Sequence, residues 1–253
     1  IYPTYSDGIA IIDLLLYYDT ALKDYKVVLD YVVELANYIM SYSATETRLR
    51  VVATRPMTVS STTTVRELLD SMRTDESIAS DRRFYGADLV HTVRAAEANY
   101  EFELCGLAEY SVWSGRGYRD VDDVVGVTQW RPQESYDYYC IDDTFAHEIG
   151  HNLGSAHERD WYDSSDLPTG AYDYSHAQKV SGTFQTVMGA SGQGKLGFST
   201  PNYSCGGYPC GVAPGSPSSA DNTRSIRNTG HLISSFEGAF KYEAIQEYLS
   251  VGW

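Results

Sequence analysis

His147-Glu148-Ile149-Gly150-His151-Asn152-Leu153-Gly154-Ser155-Ala156-His157 is the stretch from which the rest of the chain is read. His147 and His151 are four residues apart. On an α-helix both imidazoles then project from one face, one turn apart, and reach one metal ion. Glu148 follows the first histidine directly, so its carboxylate can stand beside that ion without ligating it. His157 comes six residues after His151, and a helix continued that far would carry it to another face. Gly154 resolves this, because glycine takes a left-handed backbone at little cost and can end the helix and turn the chain back. Three neutral nitrogens plus a water make an open tetrahedral zinc site rather than a closed structural one. The chain has 6 histidines, and half of them fall in this window. That weighs against an ordinary helix with scattered histidines. The intact Glu148 weighs against a zinc site that has lost its chemistry.

Hydrophobic residues make up 43% of the 253 residues, enough for a sizeable core in one large domain or two tightly joined lobes. No apolar run approaches the roughly 18–20 residues of a membrane span; the longest, from Ile9 to Tyr18, is interrupted by Asp13. The net charge of −15, from 34 acidic against 19 basic residues, argues against a nucleic-acid or anionic-membrane partner. It is compatible with calcium, but no dense D-x-D-x-D loop occurs, so any Ca2+ site stays unassigned. The four cysteines, Cys105, Cys140, Cys205 and Cys210, allow three connectivities. None has C-x-x-C spacing and the histidines already supply ligands, so two disulfides are expected in an exported enzyme. Cys105–Cys140 and Cys205–Cys210 are the favoured pairs. The second closes a small Gly-Gly-Tyr-Pro loop, and the first ties the segment before the metal helix to the end of the sheet. The chain begins at Ile1 without Met. A secreted enzyme that has lost a signal peptide and a propeptide would begin so, as would a segment cut for other reasons.

Ile9 to Tyr18 reads as a buried strand. From about Thr20 to Tyr42, Val28, Tyr31, Val32, Leu35 and Ile39 recur at helical spacing. Arg48–Thr54 alternates as a second strand, with Pro56 ending it or marking a sheet edge. Ser61 to Met72 is a second helix with hydroxyl residues at its start. Gly86–Val93 is a third strand, in which His91 is expected to be a surface or sheet residue. Short strands are expected at Ala108–Val112 and Val124–Val127. Asp142, Asp143 or Thr144 can cap the metal helix. Residues 158–219 are rich in Gly, Pro, Ser and Tyr and irregular, and Ser219 to Phe236 restores a helical pattern with Ile226, Leu232, Ile233 and Phe236 inward.

The eleven-residue window resembles the zinc motif of metzincin metalloproteases. Thr186-Val187-Met188-Gly189 is similar to the turn that lies beneath the zinc imidazoles in that clan, which makes Met188 the Met-turn residue. Within the clan the chain resembles the bacterial reprolysin-like group that includes peptidyl-Asp metalloendopeptidases. The stretches that carry this are Ile12–Tyr18, Arg48-Leu49-Arg50-Val51-Val52, Tyr85-Gly86-Ala87-Asp88-Leu89-Val90, Cys105-Gly106-Leu107-Ala108 and Phe145–Asn152, with Phe198-Ser199-Thr200-Pro201 and Ala220-Asp221-Asn222-Thr223-Arg224. The resemblance implies an α+β, metzincin-type fold. A twisted mixed β-sheet with helices and the zinc helix form an N-terminal lobe (1–157). An irregular C-terminal lobe (158–253) carries the Met-turn and one late helix, and the two make one catalytic domain. Two positions depart from the group. Glu158 stands where reprolysin-like enzymes usually have Asp, and looks like astacins, in which this glutamate binds the buried mature N-terminus; Ile1 is the residue such a link would use, though the astacin resemblance is the weaker of the two. Ala190 stands where astacins carry a zinc-binding tyrosine.

The implied function is a secreted zinc-dependent endopeptidase, made as a zymogen and acting as a monomer on extended protein or peptide substrates. One catalytic Zn2+ is held by His147, His151 and His157, and Glu148 is the base that assists a zinc-bound water. Lys195 to Tyr203 are expected to line the pocket for the side chain just beyond the cut bond, with a preference for apolar or aromatic groups. Specificity for Asp would instead need a buried cation, for which Lys195 and Arg224 are the candidates. The competing classes are a zinc-bearing binding module without catalysis and a zinc amidase acting on cell-wall or small peptides. Glu148 argues against the first, and the second differs only in cleft shape.

Overall fold

The computed structural model describes residues 8–95, 104–113, 117–118, 120–130, 140–161, 170–190 and 197–236. In chain order they form β1 (Ala10–Asp19), α1 (Tyr25–Tyr42), β2 (Thr47–Met57), α2 (Val65–Thr74), α3 (Glu76–Tyr85), β3 (Leu89–Ala95), β4 (Gly106–Ala108), β5 (Val112–Trp113), β6 (Gly117–Tyr118), β7 (Val125–Trp130), α4 (Thr144–Asn152), β8 (Lys179–Val180), β9 (Phe184–Gln185), β10 (Ser204–Cys205), β11 (Tyr208–Pro209) and α5 (Asn222–Ile233). A five-stranded sheet runs in the order β2-β1-β3-β7-β4. Its first four strands are parallel, and the edge strand β4 is antiparallel to β7, with Gly106 opposite Thr128.

Parallel strands are covered on both faces, and so read as continuous apolar runs instead of alternating ones. β1 shows this. Ile12, Leu14 and Leu16 face a core shared with α1, α4 and α5, while Leu15 and Tyr17 face α2 and α3 on the other side. The first of these cores also takes in Val187, Met188, Phe198, Ile226 and Ile233. Side chains from beyond His157 therefore pack on the same sheet face as the metal helix.

Several boundaries shift for local reasons. α1 begins at Tyr25, later than the expected Thr20. α2 starts at Thr64, which closes a capping box with Glu67. Pro56 lies inside β2, an edge strand, where a missing N–H costs nothing. β3 starts at Leu89 because Gly86, at φ 64°, is the left-handed cap of a helix that the sequence pattern did not predict. That helix, α3, shares Asp75 with the end of α2; the Asp75 carboxylate accepts from Ser77 N–H at 2.8 Å. The strand expected over Ala108–Val112 is divided, since β4 ends at Ala108 and β5 begins at Val112. The late helix is shorter than expected, with Asp221 capping it through Arg224 N–H. Both favoured disulfides are present, Cys105–Cys140 and Cys205–Cys210. Among the described residues no helix is long and apolar enough to cross a membrane.

Candidate active site

α4 buries Phe145, Ala146 and Ile149 against the sheet, which turns His147 and His151 toward the opposite side of the helix. None of the three residues expected to cap it does so with its side chain. Asp143 occupies the N-cap position without a side-chain cap bond. The Thr144 hydroxyl donates backward to Ile141 O at 2.7 Å, and Asp142 accepts from Tyr31 OH at 2.7 Å. Burial pushes the Asp143 carboxyl up to about 6. At the other end Gly154 lies at φ 81°, its N–H bonded to His151 O and the N–H of Ser155 to Gly150 O, both at 2.8 Å. A side chain at Gly154 would also stand 2.7 Å from Ala171 Cβ, so backbone conformation and packing both call for glycine.

The bend brings His157 back to the helix. Its Nε2 lies 3.1 Å from that of His147 and 3.0 Å from that of His151, and candidate ligand atoms of all three residues lie within 4.8 Å of one another. His147 donates its Nδ1–H to Val187 O and His151 donates its own to Ser155 O, each at 2.8 Å. This fixes the tautomer and leaves Nε2 with a bare lone pair. Bare nitrogens aimed at one another at such distances repel unless a cation stands between them. The spacing is close to the roughly 3.3 Å edge of a tetrahedron with arms of about 2.0–2.1 Å, so the donor set fits a zinc ion. Burial pushes all three imidazoles toward the neutral, ligating form, His157 to about 3. Two aromatic rings meet the cluster edge-on, Tyr110 at 5.2 Å from His151 and the exposed Trp161 at 5.7 Å from His157.

Glu148 is 4% exposed, and burial raises its carboxyl well above the usual range. Its Oε2 has no hydrogen-bond partner. The edge strand lies directly on it, for a Cβ at Gly106 would stand 2.5 Å from Glu148 Oε1. Met188 is fully buried beneath α4, its Sδ 2.4 Å from where a Cβ of Gly150 would be. Glu158 is occupied on both oxygens, by Lys179 Nζ and by the N–H of Ala190, each at 2.9 Å. Burial alone would raise its pKa, but these partners outweigh it and hold the carboxyl below its ordinary value. Ile1, the other partner considered for Glu158, lies outside the described residues.

Support for the site comes from residues that no spacing rule singles out. His176 donates its Nδ1–H to His157 O at 3.0 Å and is held neutral by burial, at about 4. The Asn152 side chain donates to Glu109 O at 2.7 Å and to Val125 O at 3.0 Å, and Ser111 Oγ donates to Asn152 O. These bonds fasten the end of α4 to the strands above it. The only signal for them in the sequence is polarity in stretches that are otherwise buried.

The expected specificity elements fare differently. Arg224 is exposed on α5, its guanidinium 5.4 Å from the Tyr174 ring centre, and so is not a buried cation; Lys195 lies outside the described residues. Of Lys195 to Tyr203, residues Gly197, Phe198 and Tyr203 line a groove of about 410 Å³ with Tyr38, Tyr42 and the Cys205–Cys210 loop. None of the three clustered histidines lines that groove. His91 is fully buried within the sheet, away from the cluster, as described below.

Comparison with known proteins gives consistent results. The family described as "Metallo-peptidase family M12B Reprolysin-like" matches residues 29–158. A peptidyl-Asp metalloendopeptidase of Pseudomonas aeruginosa is 30% identical over 226 residues, covering 81% of this chain and 35% of the relative. A protein of the same name from Stenotrophomonas maltophilia is 38% identical over 101 residues, covering 37% of this chain and 22% of the relative. The chain thus spans about a third or less of the length of these curated relatives. A solved structure described as "Structure of a chaperone-substrate complex" superposes with a TM-score of 0.66 at 20% identity, covering 90% of this chain and 35% of that one; the likeness is one of fold.

Proposed function

Because this chain belongs to the reprolysin-like M12B metallopeptidase family, we propose that it is a zinc endopeptidase whose single catalytic ion is held by His147, His151 and His157. The observation that carries this is the convergence of three Nε2 atoms beside a buried carboxylate with an unpartnered oxygen. A bound zinc supplies Lewis acidity, which polarises the scissile carbonyl and acidifies the attacking water. Beside such an ion Glu148 would be held ionised despite its burial, and so able to act as a base. Glu148 then takes the proton of the attacking water and passes it to the leaving amine. The antiparallel edge strand β4 offers an extended peptide a partner for main-chain hydrogen bonds. Met188 packs under the helix that carries two ligands, and Glu158 ties the segment after the third ligand to Ala190.

Two disulfides support export to an oxidising compartment. Protein or peptide substrates, a propeptide and a monomeric state belong to the same reading. The curated relatives are named for peptidyl-Asp bonds. From that name we extend to this chain the endopeptidase part, and a peptide library separates Asp-directed from apolar-directed cutting. Hydrolysis of casein should disappear with a chelator and return with added zinc, and Glu148→Gln should keep its zinc while losing about 10²–10⁴ in turnover. Chelator-resistant hydrolysis, or a Glu148→Gln variant as active as the parent, would contradict the proposal.

A further inference from the structure

We propose that Gly106 is a positioning residue for Glu148: its missing side chain lets the edge strand lie on the carboxylate and thereby sets where the base points. This rests on the endopeptidase reading above. A Cβ at position 106 would stand 2.5 Å from Glu148 Oε1, 2.6 Å from Cγ and 2.7 Å from Cδ. Those separations are far inside contact distance, so one partner must move.

The strand is held from two directions. Gly106, Leu107 and Ala108 pair with Thr128, Val127 and Gly126 of β7. Gln129 donates its backbone N–H to Cys105 O and its side-chain amide to Leu104 O, both at 2.8 Å. On the other side Cys105 is bonded to Cys140, just ahead of α4. The carboxylate, by contrast, is the free end of a flexible side chain, and its Oε2 has no hydrogen-bond partner to resist a shift. A methyl group at position 106 therefore displaces Glu148 and leaves the backbone in place. The three nearest atoms to that methyl all belong to Glu148, so the displacement falls first on the carboxylate side chain. Misplacing a reacting group by about 1 Å costs on the order of 10²-fold in rate. The lesion is then one of turnover, with folding and metal binding intact.

The test is Gly106→Ala, alone and combined with Glu148→Ala, with kcat, KM and zinc content measured and a crystal structure of the single variant. The expected result is a loss of kcat on the order of 10–10²-fold with KM changed less than about threefold and zinc retained. Alanine at position 148 removes all three atoms nearest the methyl, so Gly106→Ala should cost less than about threefold of the residual turnover in the Glu148→Ala background, where it also has the best chance to fold. A wild-type kcat, an equal loss in both backgrounds, or loss of zinc would overturn the proposal. So would a crystal structure with the Glu148 carboxylate unmoved, which decides the matter whatever the activity. A parent protein that cuts no peptide at all would instead sink the endopeptidase reading, while the crystallographic comparison would still judge Gly106.

Discussion

His91 and His151 are both buried histidines, and burial drives both toward the neutral form. In the sheet, His91 is fully enclosed. Its Nε2 meets Thr128 Oγ1 at 2.8 Å, its ring stands edge-on to Phe145 at 4.8 Å, and a Cβ at Gly126 would lie 2.4 Å from its Nδ1. In the histidine cluster, His151 spends its Nδ1–H on Ser155 O and turns its bare Nε2 toward His157 at 3.0 Å. Burial and neutrality are common to both regions. What differs is whether several lone pairs point at one place, and that convergence, more than a shifted pKa, marks a metal centre.

The sharpest way to break this comparison is to truncate each histidine in turn. His151→Ala should lose its zinc on dialysis and fall to the turnover of chelated protein, whereas His91→Gln should keep its zinc and most of its activity. Equal zinc loss in both variants would erase the distinction. A smaller effect is expected at Glu158. Glu158→Ala removes the buried carboxylate that accepts from Ala190 N–H and from Lys179, which should cost about 1–3 kcal/mol in urea unfolding with zinc retained. Unchanged stability would show that the Glu158 link does not hold the turn after Met188. A further effect appears only in acid. His91 stays unprotonated in the folded protein down to about 3, against 6.5 for the ordinary group. Its contribution to stability is therefore present above pH 6.5 and is lost as pH falls from 6.5 toward 3, where the unfolded chain takes up a proton that the folded one refuses. One such proton gives a slope of about 1.4 kcal/mol per pH unit. His91→Gln should flatten the stability profile over that window by one proton, and parallel profiles for parent and variant would remove His91 from the account.

The histidine helix and its glycine bend were legible because their requirements are local: helical spacing for His147 and His151 and a left-handed turn that brings back His157. The capping box at Thr64 and Glu67 was partly legible for the same reason. α3 was not, because only Ile78 and Arg82 of its residues are buried. An arginine that donates to Val124 O from inside the protein does the anchoring that an apolar stripe would advertise. The histidine between Val90 and Thr92 gave no sign of its full burial, since a polar residue in a strand reads as sheet surface until the helix packed over it is known. The bonds of Lys179, His176 and Asn152 around the site join elements far apart in sequence, and Gly106 matters only once the fold lays its strand on Glu148. Substrate preference was illegible for a different reason. A pocket needs several segments at once, and of the described part of Lys195–Tyr203 it is Gly197, Phe198 and Tyr203 that line a groove with Tyr38 and Tyr42.

The central claim is that one ion sits among three imidazoles contributed by a single helix and the bend behind it. X-ray absorption at the zinc edge on the purified, zinc-loaded protein tests it most directly. The account predicts one zinc per chain with three histidine nitrogens at about 2.0–2.1 Å and a light-atom donor completing the shell. A spectrum with sulfur in the shell, or with fewer than three imidazoles, would contradict it.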